Sequence, residues 1–238
     1  QAFRPDLTTI VVVGDITPKR AQEVVEKAFG DWKASGKKPE TTMPPVPLNR
    51  PSSTFVPNAS RVQSNVLLAE TLGLDRFNPD YYALQLGNHV LGGGFYATRL
   101  YRDLRERAGL VYHVDSAFMV GKTRGVYVVD YACDPPNVGK ARTIVEHDLR
   151  QMQTTTVGED TFRRAQALAL REIPLSESSV GAIAQGFIHR AHLGLPLDEP
   201  QRAARHYATL TPKQVKAAYA KWLRVDDLVQ VTQGPPGK

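Results

Sequence analysis

The residues best placed for chemistry lie at positions 91–116, which read Leu-Gly-Gly-Gly-Phe-Tyr-Ala-Thr-Arg-Leu-Tyr-Arg-Asp-Leu-Arg-Glu-Arg-Ala-Gly-Leu-Val-Tyr-His-Val-Asp-Ser. Gly92, Gly93 and Gly94 would let two helices pack closely, or let backbone touch a ligand. A helix over 97–107 is predicted next, with Leu100, Leu104 and either Phe95 or Ala97 on its buried side. Arg99, Arg102, Arg105 and Arg107 cluster on and around that helix. Arg105 falls in its last turn, where a cation suits the helix C-terminus. Gly109 is placed to end the helix, and Tyr112 then opens a strand. The chain reversal lets Arg105 and Tyr112 converge although seven residues separate them. A guanidinium fork and a phenol together can grip a peptide carbonyl, or stabilise negative charge developing on one. The same two residues also suit a plainer role, helix-end stabilisation beside a packed tyrosine.

Other chemistries fit less well. A zinc-protease helix needs two His and a Glu presented on one face, as in His-x-x-Glu-His or His-Glu-x-x-His. Neither occurs. His189 and His192 share a helical face but have no acidic neighbour and no third ligand, so they read as an exposed or packing pair. Gly121-Lys122-Thr123 resembles the end of a phosphate loop, yet Ser116 stands where that loop needs its first Gly, and the segment lies between two strands. Gly92–Gly94 follows a helix rather than a strand, which excludes a dinucleotide fingerprint. Cys133 is the only cysteine, so an internal disulfide and a Cys-rich metal site are excluded. With no His partner, it reads as a small buried hydrophobe.

These residues need a scaffold, and 238 residues suffice for one large domain or a domain plus a fragment. The chain is 42% hydrophobic and carries a formal charge of +6. A basic balance could suit nucleic acid, but no aromatic-plus-basic module accompanies it, so a solvated basic surface is expected and no nucleic-acid partner. No apolar run is long enough for a membrane span. The sequence shows no signal peptide and does not begin with Met, and it looks like an excised or processed piece.

Residues 9–13 (Thr-Ile-Val-Val-Val) predict a strand, and Thr17-Pro18 then starts a helix closed by Gly30. Residues 37–53 hold five prolines and predict an extended linker outside any sheet. Beyond it, strands are expected at 62–71, 111–118, 125–133 and 228–232. Helices are expected from Asn78 to Leu91, from Asn137, from Thr156-Val157-Gly158-Glu159, from Ser176 to Gly194, at 199–207 and from Thr211-Pro212 to Trp222. Residues 4–14 also echo 224–234: each is a polar lead-in, an aliphatic run and a Gly. The pattern predicts an α+β fold, a two-layer sandwich with a mostly antiparallel sheet and helices on one face. The expected organisation is residues 1–36 as the strand-and-helix tail of a truncated first domain, 37–53 as linker and 54–238 as a complete second domain.

Leu91–Gly94, Thr98-Arg99-Leu100, Leu104-Arg105-Glu106 and Gly109-Leu110-Val111-Tyr112 together resemble the inactive second-half domain of the pitrilysin (insulinase, mitochondrial processing peptidase) family of zinc metallopeptidases. The likeness extends over nearly the whole chain, through Val11–Asp15, Phe29-Gly30-Asp31-Trp32, the Pro-rich linker and the Leu210-Thr211-Pro212 helix. It implies a non-catalytic half that completes the cleft of a homologous zinc-bearing domain or subunit. It also implies that Arg105 and Tyr112 bind peptide substrate, that this chain holds neither zinc nor catalytic residues, and that the source is bacterial. The alternative within the same fold is a structural or assembly subunit without peptidase work.

Overall fold

The computed structural model describes residues 3–94 and 97–236. They group into two compact units, Pro44–Leu170 with Ala203–Lys238, and Gln1–Met43 with Arg171–Arg202.

The larger unit is built on a five-stranded sheet of order β1-β5-β2-β4-β3. The strands are β1 (Ser52–Pro57), β2 (Ser64–Leu72), β3 (Val111–Val120), β4 (Gly125–Cys133) and β5 (Val229–Gly234). Only β1 and β5 run parallel; every other pairing is antiparallel. Burial along β2 and β4 alternates strictly, as a sheet covered on one face requires. Val66, Leu68 and Leu72 of β2 and Tyr127, Val129 and Tyr131 of β4 face the core, while Leu67 and Val231 on the opposite face are exposed. The covering layer comprises α2 (Tyr81–Leu91), α3 (Val138–Thr154) and α7 (Pro212–Trp222). On α3, Ala141, Val145, Leu149 and Met152 are all buried, four residues at helical spacing. Where α2 crosses α7, Gly87 lies so close to Tyr219 and Val215 that a methyl group would collide with both. Thr211 and Gln214 form a reciprocal cap that starts α7. This is the expected α+β architecture, with helices on one sheet face.

Several boundaries differ from expectation. Ser52 and Ser53, expected outside any sheet, pair with Val229 and Gln230. Strand β1 escapes the sequence pattern because all six of its residues are exposed at the sheet edge. Asn137 makes no side-chain cap; a short 3-10 turn at Pro135–Asn137 leads into α3 instead.

In the smaller unit, α1 (Pro18–Phe29) begins where Thr17 accepts a hydrogen bond from the Arg20 amide. Helix α5 (Val180–Leu193) starts at Ser179 rather than Ser176, because α4 (Glu159–Leu175) continues in turns through Ser178. Gly194 closes α5 in the left-handed conformation, φ 73°. Helix α6 (Glu199–Thr209) follows and leads back into the larger unit. Residues 9–13, expected as a strand, join no sheet among the described residues. Their β-branched run has the local preference for a strand, but a strand exists only with a neighbour to take its backbone hydrogen bonds.

Candidate functional site

The site is assembled where α2 ends and β3 begins. Asn88 is buried in the last turn of α2. Its Nδ2 donates to the Ser116 carbonyl at 2.7 Å, and Ser116 Oγ donates to Asn88 Oδ1 at 2.7 Å. The Asn88 carbonyl also accepts from the amides of Gly92 and Gly93 at 3.0 and 2.7 Å. A Cβ on Gly92 would strike Ser116 Oγ, and one on Gly93 would strike Asn88 Nδ2. Of the two roles open to these glycines, the geometry accounts for close packing: the turn is pressed onto β3. Asn88 and Ser116 lie 28 residues apart and escaped the sequence reading. Each is an ordinary polar residue there, and only the fold makes them a buried pair.

Residues 99–107 form the next helix, and Leu100 and Leu104 are fully buried as expected. Ala97 is exposed, contrary to its candidacy for the buried stripe. Phe95, the other candidate, lies outside the described residues. From Tyr101 to Arg107 the helix is wound as π rather than α, with the Ala108 amide reaching the Asp103 carbonyl at 3.2 Å. Such windings are rare and carry no sequence signal; they recur at functional sites. Gly109 sits at φ 62°, and the Leu110 amide closes back on the Leu104 carbonyl at 2.9 Å.

The turn brings Arg105 and Tyr112 together. Arg105 Nη1 donates to the backbone carbonyl of Tyr112 at 2.7 Å. The guanidinium carbon lies 4.4 Å from the centroid of the Tyr112 ring and 5.1 Å from that of Tyr101. Tyr112 is 75% exposed, and its hydroxyl has no partner among the described residues. The exposure follows from the register of β3 on β4, where Val111 faces Cys133 but Val114 faces Tyr131. One extra residue is therefore inserted, and both Tyr112 and His113 turn outward. A half-buried arginine that makes no ion pair among the described residues and lies against two rings can donate to a carbonyl or carboxylate; the phenol beside it can donate a second hydrogen bond.

The other arginines of the cluster are used differently. Arg102 holds Asp103 through Nε and Nη2, both at 3.0 Å, and Arg107 reaches the same carboxylate at 2.9 Å. Arg99 is half-buried, and its Nη1 is buried with no hydrogen-bond partner among the described residues. Asp148 on α3 interacts electrostatically with Arg99 and Arg102. Burial, reinforced by Asp103, pushes its carboxyl up to about 7.

No group of three or more His, Cys, Asp or Glu able to hold a metal occurs among the described residues. His189 and His192 are both exposed on α5. Cys133 is buried as expected, and desolvation pushes its thiol up to about 11. Among the described residues no helix is long and apolar enough to cross a membrane.

Residues 1–168 match the family described as the Peptidase M16 inactive domain. The "Probable inactive metalloprotease YmfF" of Bacillus subtilis (strain 168) is 22% identical over 177 residues, 72% of this chain and 39% of that protein. The crystal structure of a peptidase M16 inactive domain from Pseudomonas fluorescens superposes with a TM-score of 0.81 at 28% identity, covering 94% of this chain and 53% of that one. A protease from Helicobacter pylori superposes with a TM-score of 0.83 at 15% identity, over 94% of this chain and 54% of that one. The chain thus spans well under two thirds of the length of these relatives.

Proposed function

The chain belongs to the inactive-domain family of M16 peptidases, and from that membership we propose that it is the substrate-binding, non-catalytic half of a zinc metalloendopeptidase. On this reading residues 1–36 are the tail of a first domain, 37–53 are a linker, and 54–238 are the inactive second domain. A homologous zinc-bearing domain or subunit supplies the catalytic face of the cleft. The residues of this chain do not fit a zinc ion, since no ligand set occurs among those described, so no step through the metal is assigned to them.

One observation carries the reading: a half-buried Arg105 lies stacked against a solvent-facing Tyr112, the two brought together by a bulge, a π turn and a Gly109 reversal. Packing alone does not require a tyrosine exposed to that degree. Arg105 keeps donors beyond the one spent on the Tyr112 carbonyl. In the proposed role those donors and the Tyr112 hydroxyl bind a substrate carbonyl, positioning the peptide and stabilising charge that develops on it.

The test is reconstitution with the zinc-bearing half and a fluorogenic peptide. This chain alone is expected to be inactive. In the reconstituted enzyme, Arg105→Ala and Tyr112→Phe should each lower kcat/KM about ten- to a hundredfold, the worth of one lost charge-assisted or neutral hydrogen bond in a closed cleft. Undiminished activity in both variants would leave the pair a structural clasp and favour an assembly subunit.

A further inference from the structure

A second cationic feature of the larger unit uses neither Arg105 nor Tyr112. A cleft of about 450 Å³ opens between the C-terminal end of α2, the start of the 99–107 helix and the first turns of α4. Among the described residues, three arginines line it: Arg99 and Arg102 from one wall and Arg164 from the other. Arg102 is already held by Asp103. Arg99 and Arg164 are not so matched. Arg99 Nη1 is buried without an acceptor among the described residues, and leaving a guanidinium N–H unpaired away from water is costly. Arg164 makes no ion pair among the described residues; its one contact is a long 3.5 Å approach to Thr161 Oγ1.

Asp148 and Asp103 act on Arg99 electrostatically, but neither is hydrogen-bonded to it among the described residues. Asp103 is shared between Arg102 and Arg107. Asp148 is itself buried with Oδ2 unpartnered, and near neutrality much of it is protonated because its carboxyl titrates at about 7. Glu159 and Asp160 are absent from the cleft lining, and Glu159 lies 3.9 Å from Arg163. The other wall of the cleft adds Gly158, just before the 17-residue α4, and Thr161 in its first turn, at the electropositive N-terminal end of that helix. Val157 and Leu168 add apolar surface beside the cations.

We propose that this cleft is a binding site for a small oxyanion, gripped between the Arg99 and Arg164 guanidinium groups. The chemistry shared by its ligands is a carboxylate or phosphate oxygen accepting charge-assisted bonds from two guanidinium groups, one with Nη1 unpartnered among the described residues and the other held only by the long contact to Thr161. The volume lies in the range of small-molecule sites.

Titration calorimetry in chloride buffer tests this, using the whole chain and three probes: inorganic phosphate, N-acetyl-leucine and its uncharged amide. Saturable binding of phosphate alone identifies a phosphate site. Binding of N-acetyl-leucine alone identifies a carboxylate site, and the uncharged amide should not bind saturably. Arg164→Ala lies at an exposed helical position and should weaken the bound probe about tenfold. Arg163→Ala, one residue along and outside the cleft lining, should leave affinity unchanged. Arg99→Lys, which keeps the charge but loses the fork, should also weaken binding. The proposal is overturned if neither anion binds saturably below roughly 10 mM. It is equally overturned if the amide binds as well as the acid, or if Arg163→Ala and Arg164→Ala have the same effect.

Discussion

Glu70 offers a sharp test of how the sheet is tied to the chain that leads into it. The residue is 2% exposed near the C-terminal end of β2. Both carboxylate oxygens accept from the Arg224 amide, at 3.0 and 3.2 Å, and the Arg224 guanidinium lies 3.8 Å away. Arg224 also donates to the Thr71 carbonyl and to Asn49 Oδ1, while Asn49 bonds Thr71 and the Asp227 carbonyl. Despite these donors, desolvation dominates and pushes the Glu70 carboxyl from its ordinary 4.5 up to about 7.

The sign follows from proton binding. The folded chain binds the Glu70 proton more tightly than the unfolded chain does. Its contribution is therefore fully present below about pH 4.5 and is lost as pH rises through about 7. At about 1.4 kcal/mol per tenfold change in proton affinity, the loss approaches roughly 3 kcal/mol. Glu70→Gln mimics the protonated form and keeps an oxygen for the Arg224 amide. Thermal denaturation at about pH 5 and about pH 8 should show the wild-type midpoint falling more than that of the variant. The difference should be about 5–10 °C, given a few degrees per kcal/mol for a domain of this size. Asp148, also raised to about 7, titrates in the same window, so the wild-type slope alone decides nothing; the difference between the two proteins does. Identical pH profiles would refute the assignment of a buried, proton-bearing Glu70.

The remaining expectations concern the site and its surroundings. Gly109→Ala puts a side chain at φ 62° with open space around it, so strain alone should cost about 1 kcal/mol in chemical denaturation. The same variant should weaken peptide cleavage in the reconstituted enzyme, since Gly109 sets the reversal that brings Arg105 to Tyr112. Cys133, fully buried with its thiol raised to about 11, should resist thiol reagents in the native chain and react at once when denaturant unfolds it.

Much of the candidate site was legible because its signals are local. Gly92–Gly94, the Leu100/Leu104 stripe, the Gly109 stop and the Arg105–Tyr112 spacing all lie within one short stretch, and each has its own steric or electrostatic reason. What was hidden depends on register. The bulge that turns Tyr112 outward exists because Val111 and Val114 are set against Cys133 and Tyr131, and nothing in the sequence of β3 states that alignment. The Asn88–Ser116 lock needs α2 laid across β3. Strand β1 needs β5, whose first residue, Val229, pairs with Ser52 across most of the chain. The unmatched Arg99 is likewise a tertiary outcome, since in sequence it is one of four similar arginines.

The two echoing segments show how far local sequence determines structure here. Arg4 precedes a three-residue 3-10 turn at Pro5–Leu7, and Arg224 precedes one at Val225–Asp227. Each arginine uses Nε on an acidic residue of its own turn, Asp6 at 2.7 Å and Asp227 at 2.8 Å. Each also donates to distant chain, Arg4 to the carbonyls of Ser35, Gly36 and Lys37, and Arg224 to the Thr71 carbonyl and Asn49 Oδ1. The device is the same, and so is the aliphatic run that follows. After Arg224 that run becomes β5, paired on both edges by β1 and β2. After Arg4 it joins no sheet among the described residues, and Ile10 and Val12 are exposed. The arginine turn is therefore local in origin, whereas the strand is made by its neighbours. An unpaired run of β-branched residues is a surface that proteins ordinarily cover. If residues 1–36 are the tail of another domain, as proposed, a longer chain carrying the preceding sequence should protect the amides of 9–13 from hydrogen exchange, and the present chain should not.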